Sequence, residues 1–243
     1  MPHSNIEVPE RIPLHVQKEM VVFPYMIFPL YVSERELKAF NQAEQYDRLV
    51  AVALRRSDDA ADRPGEVSQI GTLCRVTQVK RMGDGKHKVS LEGLHRLRII
   101  ETETTPECTM VRCEPVREFV EKNLVSEALV QSMNALLKIS LSHGKPLPDD
   151  VMKMIDYIDN PARLSDLVAL YVNLPLTDLQ ELLETVDPLE RLKKVYVHLT
   201  NEVQRMQVKN EVASEVNKRV GKNQKGTQSH RRSHRLHRPR RSP

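Results

Sequence analysis

"IGTLCRVTQVKRMGDGKHKVSLEGLHRLRI", residues 70–99, decides how the rest of the chain is read. Its first limb alternates with a period of two. Leu73, Arg75, Thr77 and Val79 share one face, and Cys74, Val76 and Gln78 share the other. Gly83, Asp84 and Gly85 tolerate positive φ at a tight turn, and "KHKVSLEG" returns, so the stretch is a β-hairpin. Upstream, "RIPLHV" and "MVVFPYMIFPLYV" are β-branched and aromatic runs in which Pro24 and Pro29 confine strands to edges, bulges or bends. "LVAVALR" (49–55) is a buried-strand candidate followed by a polar loop. Downstream, "LHRLRIIETET" and "CTMVRCEPVREF" continue as strands. Ser33 and Glu36 have capping-box spacing, which predicts one helix over about 34–46. Six or seven strands around one helix imply a strongly bent, mostly antiparallel sheet or barrel over residues 11–118.

Near Lys122 the period changes from 2 to 3.6. Leu124, Ala128, Leu129, Met133, Leu136, Leu137 and Ile139 form a helical stripe to about Ser142. Met152, Ile155 and Ile158 mark a short helix. Further helices start at Asn160-Pro161, near Thr177, and at Asp187-Pro188, where the Asp and Asn are N-caps ahead of a first-position Pro. The last helix carries Leu192, Tyr196, Leu199, Val203 and Met206 at 3–4 spacing and runs to about 225. Roughly 35 residues of helix span about 50 Å, so it should project from an all-α subdomain (119–225) or pair with another helix. Those five residues are the candidate oligomerisation seam. The fold class is α+β.

The formal charge of +4 is misleading. Six Arg follow Gly226 with no acid, and residues 1–225 hold 31 Lys and Arg against 33 Asp and Glu. The body is mildly acidic, and residues 226–243 read as a disordered basic tail. Such a tail binds polyanions nonspecifically by displacing counterions, without the interleaved aromatics that stack bases. It leaves a nucleic-acid binder as an alternative function. No apolar run approaches the roughly 20 residues that span a bilayer, so no membrane partner is expected. The N-terminus lacks signal-peptide character. Cys74, Cys108 and Cys113 form no CxxC pair and read as reduced thiols, which points to a cytoplasmic protein.

The motifs that suggest chemistry fail on inspection. "GKNQKGT" (221–227) has P-loop glycine spacing, but Thr227 stands where the phosphate-binding Lys is required and no strand precedes it. Ser90 and Lys88 lie on one face of a hairpin strand, with nothing to depress a Lys pKa. His230, His234 and His237 have i, i+4, i+7 spacing, yet the neighbouring Arg residues repel a cation. No catalytic, cofactor-binding or metal-ligating residue is assigned, and no cofactor is expected. The best substrate-facing candidates are Tyr25, Met26 and Phe28, apolar side chains between two prolines. Glu92, Gly93 and Arg96 read as hairpin and strand architecture.

Taken together, these stretches resemble the N-terminal region of the Lon family of ATP-dependent proteases. The resemblance rests on Pro13, Leu14, Phe23, Pro24, Pro29 and Leu30, then on Ile70, Gly71, Gly85, Glu92, Gly93, Leu94, Arg96 and Arg98. "LPLTDLQELLETVDPLERLKKV" is similar to the family's small helical subdomain, and "EVNKRVGKNQK" to the helix that leads into its ATPase. It covers about 11–225. It implies a PUA-like β-barrel and a helical bundle that recognise unfolded or damaged proteins in an oligomeric protease, alongside other Lon-type subunits. It also implies an ATPase and a Ser–Lys protease domain after Lys225. The sequence turns instead to "GTQSHRRSHRLHRPRRSP", so the expectation is a non-catalytic module cut before the ATPase with a foreign tail, such as a shifted frame. The alternative is a fragment that works with an ATP-dependent endopeptidase encoded beside it.

Overall fold

The computed structural model describes residues 8–56, 66–83, 85–120, 123–142, 153, 155, 157–172 and 174–235, with side chains up to 213 and at 215. Six strands come first: β1 (Arg11–Gln17), β2 (Ile27–Val32), β3 (Leu49–Leu54), β4 (Ile70–Arg81), β5 (His87–Thr104) and β6 (Thr109–Pro115). Helix α1 (Glu34–Ala43) and a 3-10 turn (Glu44–Tyr46) lie between β2 and β3. Ser33 and Glu36 complete the capping box that fixes the start of α1.

The hairpin is the organising element. β4 and β5 pair from Ile70↔Arg98 to Arg81↔His87, and Gly85 takes φ +77 at the turn. Two register shifts, at Leu73/Cys74 and Val76/Gln78, bend it. The strand order is β2-β5-β4-β3-β1-β6, with β6 also pairing β5 over Leu97–Thr104. β4 and β6 share β5 only at Leu97 and Arg98, so the sheet rolls onto itself without a continuous barrel wall. Among the described strands only β1 and β3 run parallel. Inside the roll sit Ile12, Leu14, Leu73, Leu94, Leu97 and Val111; α1 covers the opposite face through Leu37 and Phe40.

The helical half comprises α2 (Leu124–Ser142), α3 (Pro161–Ala169), α4 (Leu176–Glu184) and α5 (Pro188–Arg235). Asn160 caps α3 through the amides of Ala162 and Arg163, and Asp187 caps α5 through Leu189 and Glu190. α4 starts at Leu176 with Pro175 at its cap and no side-chain cap, so the expected Thr177 signal is not used; Thr177 bonds Asp178 instead. Of the short helix expected around 152–158, Met152 lies outside the described residues, while Ile155 and Ile158 are buried in the bundle core. That core also takes in Val21, Phe23 and Ile70 from the sheet.

A buried ionic cluster joins the halves. Arg96 Nη1 and Nη2 donate to Asp166 Oδ2 and Oδ1 at 2.7 and 2.6 Å, and Arg96 Nε donates to the Leu183 carbonyl. Arg191 Nε lies 3.0 Å from both Asp166 Oδ1 and Ser165 Oγ, and its Nη1 donates to the Thr185 carbonyl. Glu118 Oε1 sits 3.1 Å from Arg96 Nη1 and 2.7 Å from Arg191 Nη2, close enough to pair charge although outside hydrogen-bond alignment. Asp166 and both Arg side chains are fully buried.

Two expectations about the last helix are corrected. Leu192, Leu199 and Val203 are buried in the chain's own core, and Tyr196 packs on it, because α2 and α3 cover that face. They are therefore not an exposed seam; Tyr196 and Met206 are half-buried and the other three are buried. The helical backbone also continues to Arg235, past the composition change at 226. Gly226 costs a helix only about 1 kcal/mol, and no Pro intervenes before Pro239.

Asp166→Asn leaves two buried guanidinium groups facing one carboxylate. It should destabilise the chain by about 3 kcal/mol or more, lowering Tm by on the order of 10 °C, as calorimetry would register. His15 supplies a pH test. Burial against Phe40, opposed in part by Glu36, lowers its pKa to about 4 from 6.5. The folded state then binds fewer protons than the unfolded one between those values. Stability is full above about pH 6.5 and falls as pH drops toward 4, by about 3 kcal/mol. Urea melts from pH 7.5 to 4.5 should show that slope, and His15→Gln should flatten it.

Candidate functional site

The run 21–32 that carried the substrate-facing expectation divides by strand parity. Phe28, Leu30 and Val32 point into the core under α1, whereas Ile27, Pro29 and Tyr31 face solvent. Ile27 is 76% exposed and Tyr31 60%. Phe28 is therefore a core residue, and Met26 is half-buried against the same core. Tyr25 is 43% exposed and remains a surface group. The solvent face thus reads Tyr25, Ile27, Tyr31: Tyr25 is kept, and Ile27 and Tyr31 stand in place of Met26 and Phe28. The signal was present in "IFPLYV", whose alternate residues separate once Pro29 marks an edge strand.

Three constraints hold Tyr25 there. It adopts φ 65, a left-handed conformation unusual for an aromatic residue. Its amide donates to the Gly93 carbonyl at 2.8 Å, and the Gly93 amide donates back to the Met26 carbonyl at 2.8 Å. A side chain at 93 is excluded, because a Cβ would lie 2.3 Å from the Phe23 carbonyl oxygen. The Tyr25 ring lies 5.4 Å from the Arg163 guanidinium carbon, a cation–π contact across the sheet–bundle junction. Burial, followed by Glu118 and Asp166, pushes its phenol above the usual range. Beneath it the Arg96 guanidinium stands 6.0 Å from the centroid of Phe23. Arg96 is architectural.

Across β2, the neighbours on β5 are Lys88 opposite Tyr31, Ser90 opposite Pro29 and Glu92 opposite Ile27. Ser90 and Lys88 thus stand in ordinary cross-strand positions. The face is an apolar stripe bordered by a cation, a hydroxyl and an anion. It offers area for an apolar segment.

The other motifs resolve similarly. Residues 221–227 lie within the helical backbone of α5, so they make no phosphate-cradling loop. His230 and His234 lie on the same helix, and His237 lies outside the described residues. Among the described residues no three His, Cys, Asp or Glu side chains gather as a metal site requires. The thiols are poor nucleophiles: burial pushes Cys113 up to about 11 and raises Cys74 and Cys108, opposite to the shift a thiolate needs. Among the described residues no helix is long and apolar enough to cross a membrane.

Comparison with known proteins agrees with this arrangement. Residues 11–201 match the ATP-dependent protease La (LON) substrate-binding domain family. Over 221 residues the chain is 56% identical to a Lon protease of Citrifermentans bemidjiense, covering 91% of this chain and 28% of that protein. A Lon protease of Geobacter metallireducens is 31% identical over 227 residues, covering 92% of this chain and again 28% of that protein. The chain thus spans little more than a quarter of the length of these curated relatives. Among solved structures, the N-terminal domain of a Mycobacterium avium complex Lon protease superposes with TM-score 0.67 at 21% identity, over 78% of this chain and 98% of that one. A Lon N-terminal domain protein from Xanthomonas campestris gives 0.55 at 19% identity, over 77% and 97%. With the sequence match running through sheet and bundle, and the fold shared with solved N-terminal domains, the chain belongs to the LON substrate-binding domain family.

Proposed function

We propose that this chain captures exposed apolar segments of unfolded or damaged proteins in the cytoplasm, and that the solvent face of β2 makes the contact. The observation that carries the reading is the stripe of Tyr25, Ile27 and Tyr31, large exposed side chains on edge strand β2 and the turn that leads into it. Complete burial of such a side chain contributes roughly 1.5–3 kcal/mol, so two or three partly buried contacts give weak, sequence-tolerant binding. Peptide-bond cleavage and ATP turnover would be the work of other parts of a longer Lon-type protein. This chain's own role is non-catalytic recognition, in company with copies of itself or other Lon-type subunits.

Self-association would involve α5 beyond the region its own bundle covers. Val208 and Val212 are 59% and 56% exposed, four residues apart on the free part of the helix. Residues at i and i+4 lie on one face and can meet a partner helix.

Ile27→Asp combined with Tyr31→Asp should weaken binding of fluorescein-labelled, reduced and carboxymethylated lactalbumin by about tenfold or more, because two apolar contacts are lost. Tm should stay within a few degrees, since neither residue is core. Unchanged affinity would place the contact elsewhere. Light scattering checks the second surface. The mass should rise with concentration, and Val208→Asp with Val212→Asp should return it to monomer. Leu199→Asp, by contrast, should unfold the bundle.

A further inference from the structure

The solvent face of β2 continues across two further strands. β5 pairs with β2 on one side and with β4 on the other, and directly opposed residues share a face. Two rows of side chains cross the sheet here. One reads Tyr31, Lys88, Lys80, and the other reads Ile27, Glu92, Arg75. Along β2 the rows are four residues apart, about 13 Å at about 3.3 Å per residue.

The rows differ in charge. Glu92 and Arg75 oppose each other with opposite signs, the arrangement that stabilises a cross-strand pair. Lys88 and Lys80 oppose each other with the same sign, which costs stability, and among the described residues neither ammonium has an ion-pair partner. Glu34, the acid nearest to Tyr31 in the chain, is engaged elsewhere. It stands 3.6 Å from Nδ1 of the buried His87, on the opposite face of β5 from Lys88. The two lysines are therefore a cationic end to the apolar stripe, and the fold itself does not neutralise them. A uniformly charged polyanion laid along the stripe would meet Glu92 beside Ile27. A polypeptide with apolar side chains at one end and carboxylates at the other meets a complementary surface along its whole length.

We propose that this face prefers apolar segments flanked on one side by acidic residues, whose carboxylates are received by Lys80 and Lys88. The apolar side chains lie on Ile27 and Tyr31, and the acids fall about four residues from the contact with Ile27. Lys88 and Lys80 stand on adjacent strands about 4.8 Å apart, so one or two carboxylates can approach both ammonium groups. At a solvated surface such attraction is modest and is screened by salt, so it adds a preference to otherwise sequence-tolerant binding. The inference rests on the β2 reading and adds which apolar segments that face favours.

The test uses the full chain, ¹⁵N-labelled, in chemical-shift titrations with acetyl-Phe-Ser-Leu-Ser-Glu-Glu-amide and with its Gln-Gln counterpart. At low salt the acidic peptide should bind about fivefold tighter and shift the amides of Lys80 and Lys88, and at high salt the difference should vanish. Lys80→Gln with Lys88→Gln should abolish the preference while leaving the affinity for the Gln-Gln peptide and the Tm unchanged, because both side chains are on the solvent face. Lys80→Glu with Lys88→Glu should reverse the preference toward a Lys-Lys peptide. Equal affinity for the first two peptides, a preference that survives the Gln variant, or an oligothymidylate bound at the same lysines as tightly as the acidic peptide would overturn the proposal. Failure of the β2 reading is recognised separately, as lactalbumin binding that the Ile27/Tyr31 double variant leaves intact. Failure of this proposal alone leaves that loss of binding in place, with the Glu-Glu and Gln-Gln peptides bound alike.

Discussion

Arg96 and Asp166 form the contact on which the arrangement of this chain depends. Both are fully buried, and two hydrogen bonds of 2.6–2.7 Å join them in a forked geometry. Removing two charges from water costs several kcal/mol each, and only good geometry with every remaining lone pair and proton engaged offsets that. The chain approaches that condition by spending five elements on one point, with the Glu118–Arg191 Nη2 contact left as charge pairing alone. β5 gives Arg96, the segment after β6 gives Glu118, α3 gives Ser165 and Asp166, the end of α4 gives two carbonyls, and α5 gives Arg191. Such a cluster tolerates one docking of bundle on sheet. An apolar contact of the same area would tolerate several.

The position of the β2 face follows from that docking. Arg96 lies under Phe23, and the Phe23 carbonyl fills the space a side chain at Gly93 would need. Gly93 in turn holds Tyr25 and Met26 through a pair of main-chain bonds, which forces Tyr25 into φ 65. A left-handed aromatic residue costs of order 1–3 kcal/mol and persists where its surroundings over-determine it. Here Arg163, one turn before Asp166 on α3, also caps the Tyr25 ring. Sheet and bundle therefore both contribute to the surface.

Local order was legible in the sequence where it depends on neighbours in the chain. The hairpin at 70–99, the Ser33–Glu36 box and the Asn160 and Asp187 caps each need only a few consecutive residues. The ionic cluster was not legible. Arg96 and Asp166 are 70 residues apart, and nothing in "HRLRI" or "ARLSDL" distinguishes a buried charge from a surface one. The parity of β2 was missed for a different reason. "VVFPYMIFPLYV" is apolar throughout, so its alternation is hidden until Pro29 is recognised as an edge residue with its ring on the solvent side. The seam of α5 was legible as a seam, but a 3–4 spacing says only that one face is covered. It does not say whether the cover comes from the same chain, as α2 and α3 provide at Leu192, Leu199 and Val203, or from another.

A binder of unfolded chains faces a constraint that a binder of one ligand does not. It has to hold many sequences without holding any tightly, because a tightly held segment is not passed on. Side-chain contacts on a flat apolar face meet the first requirement through the lack of direction in hydrophobic attraction. Such contacts are together worth a few kcal/mol, the range of millimolar dissociation constants. One extended segment touching two such faces converts the second contact into an intramolecular step, with an effective concentration set by the length of chain between them. Retention then depends on the reach of the unfolded segment. A compact protein has no such reach, so a surface of this kind separates unfolded from folded chains by conformation rather than by sequence.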